Sequence, residues 1–110
     1  MANYLGEFEI IVLAALVRLG DDAYGVSIND EIESRTGRTS SVGALYTTLS
    51  RLSAKGYVRS RLGEATPQRG GRAKKYFEIT SEGLASLEQS ARVLHGMLGG
   101  IAGWPQKAPG

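Results

Sequence analysis

The sequence predicts a mainly α fold with a small β-hairpin: a winged helix-turn-helix of three helices and a two-stranded wing, followed by a C-terminal dimerisation helix. Three observations carry this reading. Apolar residues recur at three- and four-residue spacing in four separate segments, which is the helical period. Between the third and fourth of these lie two short runs that alternate with a period of two, joined by a glycine-rich stretch. Cationic residues gather in the same place. Residues 1–50 hold three basic against seven acidic side chains, whereas residues 51–77 hold eight basic ones (Arg51, Lys55, Arg59, Arg61, Arg69, Arg72, Lys74 and Lys75) against Glu64 alone.

The first helix is expected over residues 5–19. Leu5, Phe8, Val12, Ala15 and Leu19 follow the helical period, but Ile10, Ile11, Leu13, Leu16 and Val17 fill the other faces. A helix apolar all round needs burial on more than one side, and a partner subunit is the simplest second cover. Gly20, Asp21 and Asp22 break the pattern. A second helix is expected over residues 23–35, capped by Asp22, with Ile28 and Ile32 as its inner stripe and Gly37 closing it. A third begins after Ser40 or Ser41, with Val42, Leu45, Leu49 and Leu52 inward and Gly56 at its end.

Two strands follow, over residues 57–62 and 74–79. In the first, Val58 and Leu62 share one face while Arg59 and Arg61 share the other. The stretch between them, residues 63–73, contains Pro67, Gly70 and Gly71 and suits a hairpin loop. Thr80 caps a last helix in which Leu84, Leu87, Ala91, Leu94, Leu98 and Ile101 are spaced three, four, three, four and three residues apart. That is an a/d seam, the pattern of a helix packed on another helix. The expected division is a winged-helix domain over residues 1–79, a dimerisation helix over 80–103 and a disordered tail over 104–110.

Length and composition narrow the function. At 110 residues and 42% apolar content the chain supports one core. It has no cysteine, so disulfides and thiolate metal sites are excluded, and its one histidine, His95, lacks a partner for a zinc site. No nucleophile, base and orienting group fall into a catalytic spacing, so no enzyme, cofactor or metal is expected. Residues 1–6 lack the features of a leader, and the apolar run over residues 10–17 is far short of a membrane span, so a cytoplasmic protein without membrane contact is expected.

The third helix and the hairpin carry the functional expectation, which is binding to double-stranded DNA. In a helix-turn-helix the second helix of the pair enters the major groove, its first residues facing base edges. Ser41, Ala44, Thr47 and Thr48 offer a front of small and hydroxyl-bearing side chains. Threonine brings a hydroxyl for phosphate or base and a methyl for thymine. Arg51 and Lys55, further along, suit phosphate, and the Tyr46 hydroxyl at the edge of the stripe suits a backbone oxygen. In the wing, Arg69, Arg72, Lys74 and Lys75 lie at or beside the tip. There, arginine can enter a narrow minor groove and lysine can meet phosphate.

Several motifs in order resemble those of one family. The segments Leu5-Gly6-Glu7-Phe8-Glu9 and Ala23-Tyr24-Gly25-Val26-Ser27-Ile28 look like the opening of PadR-like regulators. The run from Gly43 through Ala44, Leu45, Tyr46, Thr47, Thr48, Leu49, Ser50, Arg51 and Leu52, with Lys55-Gly56-Tyr57-Val58, is similar to the family's recognition helix and first strand. Arg69-Gly70-Gly71-Arg72-Ala73-Lys74-Lys75-Tyr76-Phe77 resembles its wing, and Ile79-Thr80-Ser81-Glu82-Gly83 the start of its last helix. The resemblance covers residues 5–94. It implies a homodimer on operator DNA, usually a repressor, with the last helix and the first supplying the dimer contact through Leu5, Phe8, Val12, Leu84, Leu87, Ala91, Leu94, Leu98 and Ile101. It adds Gly71 to the wing contacts. Some members of that family sense small aromatic effector molecules through pockets near the dimer interface; Trp104 is the candidate here to line or cover such a pocket, the alternative being an aromatic packed at the end of a helix or loose in the tail. The shorter C-terminal region resembles the compact members of the family.

A winged helix used for protein contact alone is the main alternative, because fold does not fix function. Such domains often lack a basic wing. RNA binding is the third reading, which would call for stacking aromatics exposed on a sheet.

Overall fold

The computed structural model describes residues 4–63 and 74–103. Its elements run α1 (Glu7–Leu19), α2 (Gly25–Thr36), α3 (Val42–Ala54), β1 (Val58–Leu62), β2 (Lys75–Ile79) and α4 (Ser81–Leu98), with a 3₁₀ turn at Gly20–Asp22 between α1 and α2. The winged-helix order expected from the sequence is therefore present, and the strands pair antiparallel with Val58 opposite Ile79 and Leu62 opposite Lys75.

Each helix starts and stops for a local reason. The N–H of Gly6 donates to the Glu9 carboxylate at 2.8 Å, satisfying an otherwise orphaned amide at the start of α1. Ser41 caps α3 by accepting from the Ala44 N–H at 3.0 Å, and Thr80 caps α4 by accepting from the Gly83 N–H at 3.0 Å. The α3–β1 turn passes through Gly56, whose φ of +81° is natural for glycine and strained for a side chain. The turn then bonds the Tyr57 N–H back to the Leu52 carbonyl at 3.0 Å.

The largest fully buried side chains are Leu13 and Val12 from α1, Ile28 from α2, and Leu45, Leu49 and Leu52 from α3. Val58 and Phe77 close this core from the hairpin side. Burying a side chain of this size stabilises the fold by roughly 1.5–3 kcal/mol, so the three-helix core holds the rest in place.

The structure corrects three sequence expectations. The second helix begins at Gly25, not residue 23, because Ala23 and Tyr24 are extended and join the sheet. The Ala23 carbonyl accepts from the Phe77 N–H at 2.8 Å, and Tyr24 bridges to Tyr76. Tyr24, not Asp22, occupies the cap position of α2. Val42 is 62% exposed and lies outside the inner stripe, at the rim of an open cleft that it lines with Gly25, Val26 and Asn29 of α2. Val58 and Leu62 share one face of β1 as expected, with Val58 buried and Leu62 73% exposed where the hairpin runs past the edge of the core.

α4 packs on α1 and β2 only at its start. Gly83 is its one buried residue among those described, and a Cβ there would lie 2.2 Å from the Tyr57 carbonyl oxygen, so only glycine allows this close approach. Leu87 is half-buried against the core, while residues 91–97 are all exposed. No helix among the described residues is long and apolar enough to cross a membrane.

Candidate nucleic-acid interface

α3 presents an outward face built from small and hydroxyl-bearing residues. Ser41, Val42, Gly43, Ala44, Thr47, Ser50 and Arg51 are exposed, and the helix contains no acidic residue. Leu45, Leu49 and Leu52 anchor the opposite face in the core. Tyr46 fixes the edge between them. Its ring meets Phe77 edge-on at 5.9 Å, and its hydroxyl lies where a Cβ on Gly25 would stand 2.7 Å away. Glycine at the first position of α2 therefore lets α3 lie close against it. Tyr46 is thus a packing residue between α2, α3 and β2, with its remaining exposed edge facing out.

Two residues expected to meet DNA are otherwise engaged. Thr48 is only 7% exposed and its hydroxyl donates to the Ala44 carbonyl at 3.0 Å, so it belongs to the inner side of α3. Lys55 is held by Glu9 of α1, with Nζ 3.0 Å from Oε2. Burial raises the Glu9 pKa, but the Gly6 N–H, the hydrogen bond from Lys55 and the charges of Lys55 and Arg51 outweigh it and leave the carboxyl below its ordinary value. This ion pair ties α1 to the end of α3.

Sequence reasoning missed Val42 and Gly43 as members of the outward face. The signal was available in Ser41, because the residues just after an N-cap form the first turn, which faces a groove when the helix enters it end-on.

On the hairpin, Lys74 and Lys75 are exposed at the base of the wing. Arg59 and Arg61 are exposed too, with Arg59 paired to Glu78 at 2.7 Å. Arg69, Gly71 and Arg72, expected at the wing tip, and Trp104 lie outside the described residues.

The surfaces expected to form a dimer are partly available in the protomer. Leu84, Leu94 and Ile101 are 41%, 48% and 49% exposed, Ala91 is exposed and Leu98 half-buried. Val93 and Met97 extend this apolar area at 50% and 75% exposure. Leu5, Phe8 and Leu87 are half-buried against their own core. Val12 is fully buried within the chain's own core, which corrects its assignment to a subunit contact.

Residues 12–89 match the transcriptional regulator PadR-like family. The chain belongs to that family. This PadR-like chain is similar to a transcriptional regulator from Clostridium thermocellum, with 28% identity over 81% of each chain and a TM-score of 0.68. It is also similar to a PadR family transcription regulator from Clostridium difficile, with 26% identity over 89% of this chain and 100% of that chain and a TM-score of 0.70. A PadR family regulator from Eggerthella lenta shares the fold at 24% identity, over 86% of this chain and 77% of that one, with a TM-score of 0.69. No curated protein matches the sequence. Family and fold together make the chain a DNA-binding transcriptional regulator and not an enzyme.

Proposed function

We propose that this PadR-like chain acts as a homodimer that binds a palindromic operator in double-stranded DNA and represses transcription there. The observation that carries the reading is the exposed, acid-free face of α3, where Val42, Gly43, Ala44 and Thr47 leave room for the backbone to approach base edges. Ser41, Arg51, Lys74 and Lys75 flank it and supply phosphate contacts, and the wing residues Arg69, Gly71 and Arg72 extend them. The exposed apolar seam of α4 supplies the dimer contact, placing two α3 helices about 34–36 Å apart in successive major grooves. A small aromatic compound seated between the protomers, near Trp104, would release the operator. Added aromatic acids that leave operator affinity unchanged would remove that part of the reading.

Fluorescence anisotropy with duplex DNA from upstream of the protein's own coding region, and with an unrelated duplex, tests the proposal across a salt series. Tighter binding to the first, with both affinities falling as salt rises, is expected. Sedimentation should give a dimer that Leu94→Asp converts to a folded monomer, since Leu94 is 48% exposed in the protomer. Failure to bind any duplex at about 50 mM salt would overturn DNA recognition. A wild-type monomer at micromolar concentration would overturn the dimer.

A further inference from the structure

Five of the ten Lys and Arg side chains among the described residues pair with carboxylates, and one of them, Arg38, also lies 4.7 Å from the centre of the Phe8 ring. Arg18 and Arg35 share Glu31, Arg38 pairs with Glu7, Lys55 with Glu9 and Arg59 with Glu78. At the root of the wing three cations rest on aromatic rings without an ion pair, and Arg61 also donates to the Asp21 carbonyl at 3.4 Å. The Arg61 guanidinium lies 4.6 Å from the centre of the Tyr76 ring, the Lys74 ammonium 4.2 Å from that of Tyr24, and the Lys75 ammonium 5.7 Å from that of Phe77. None of these three has a carboxylate partner among the described residues.

The two tyrosines form one unit. Their rings meet edge to face at 5.6 Å, where the extended residue Tyr24 bridges to β2. Tyr76 stands opposite Arg61 in the strand register, so both project from the same face of the sheet. Gly63 makes room for the ring: a Cβ there would lie 2.6 Å from Tyr76 Cε2. The Gly63 N–H also donates to the Lys74 carbonyl at 2.7 Å, closing the stem on the side where the wing leaves it.

A carboxylate orders a cation by cancelling its charge. An aromatic face orders it through the ring quadrupole and leaves the charge intact. We infer that Tyr24 and Tyr76 are positioning residues for DNA binding: they hold Lys74 and Arg61 in place at the wing root with their full charge presented to phosphate. The inference rests on the DNA-binding reading above and names residues that serve it without touching bases. Fixing these side chains beforehand removes part of the ordering cost that long cationic side chains incur on binding.

A double-mutant cycle on a fluorescein-labelled mixed-sequence duplex at low salt tests it, using wild type, Tyr76→Leu, Tyr76→Phe, Arg61→Ala and the Tyr76→Leu/Arg61→Ala pair. Tyr76→Leu should weaken binding about two- to fivefold, and Tyr76→Phe, which keeps the ring, should leave it unchanged. In the Arg61→Ala background Tyr76→Leu should cause no further loss, because the cation it positions is gone. If wild type binds but Tyr76→Leu matches it, or if its loss persists undiminished without Arg61, or if Tyr76→Phe loses as much, the positioning role is overturned and DNA binding stands. If wild type binds no duplex, the underlying reading fails first. Thermal melting of each variant separates folding from binding. Should Tyr76→Leu not melt cooperatively, Tyr24→Leu against Lys74→Gln gives the same cycle on the second pair, with the same outcomes deciding it.

Discussion

Glu9 divides its carboxylate between the start of one helix and the end of another: Oε1 accepts from the Gly6 N–H at 2.8 Å and Oε2 receives the Lys55 ammonium at 3.0 Å. The two side chains are 10% and 27% exposed, so the pair is shielded and its geometry matters. Removing the lysine leaves a mostly buried carboxylate short of a partner. Lys55→Met should therefore destabilise the fold by about 1–3 kcal/mol, read as a lower urea midpoint with unchanged slope.

The same carboxyl predicts an acid dependence. Its folded pKa lies below the ordinary 4.5, so its contribution is fully present above that value and is lost as pH falls through the folded pKa. Glu31 acts in the same direction, because the hydrogen bond from Arg35 lowers its pKa. Urea midpoints measured from neutral pH downward should fall below about pH 4.5 in wild type, and less steeply in Glu9→Gln. Equal slopes in the two proteins would contradict the assignment.

Thr47 and Thr48 are neighbours with opposite duties. Thr47 is exposed and Thr48 is buried with its hydroxyl bonded to Ala44. Thr47→Ala should weaken operator binding by about 1 kcal/mol while leaving the melting temperature unchanged. Thr48→Ala should lower the melting temperature, at a cost of about 1 kcal/mol of stability. Anisotropy and calorimetry on the two variants distinguish them.

Two glycines of α4 make a matched pair. Ala at position 83 would drive its Cβ to 2.2 Å from the Tyr57 carbonyl, whereas a Cβ on Gly96 meets nothing within 4 Å. Gly83→Ala should cost about 1–3 kcal/mol or more by overpacking. Gly96→Ala should stabilise by about 0.5–1 kcal/mol, because alanine is the better helix former. Thermal melts of both variants check the signs.

The order of elements was legible from periodicity because the core stripe repeats without interruption through Leu45, Leu49 and Leu52, and through Ile28 and Ile32. The caps at Ser41 and Thr80 were legible from residue type, since each hydroxyl bonds the amide that chemistry demands. What periodicity could not resolve was which side of a boundary a residue falls on. Thr48 lies one helical position beyond Thr47, and 100° of rotation separates groove from core. Val42 fits the inner stripe by spacing but sits at the helix start, where α2 leaves an open cleft and the side chain stays exposed. Ala23 and Tyr24 join the sheet through a partner more than fifty residues away, which local composition does not encode. The Glu9–Lys55 pair is long-range in the same sense, so a lysine that belongs to a cationic cluster in the sequence is spoken for in space.

The bond from Phe77 to Ala23 and the bridge from Tyr24 to Tyr76 also have a bearing on solubility at high concentration. They occupy the far margin of β2, leaving β1 with the free hydrogen-bonding edge of the described sheet. That margin is five residues long and carries Arg59 and Arg61. Short, charged edges resist strand-by-strand accretion, so crowded copies of this molecule are steered away from fibrous stacking.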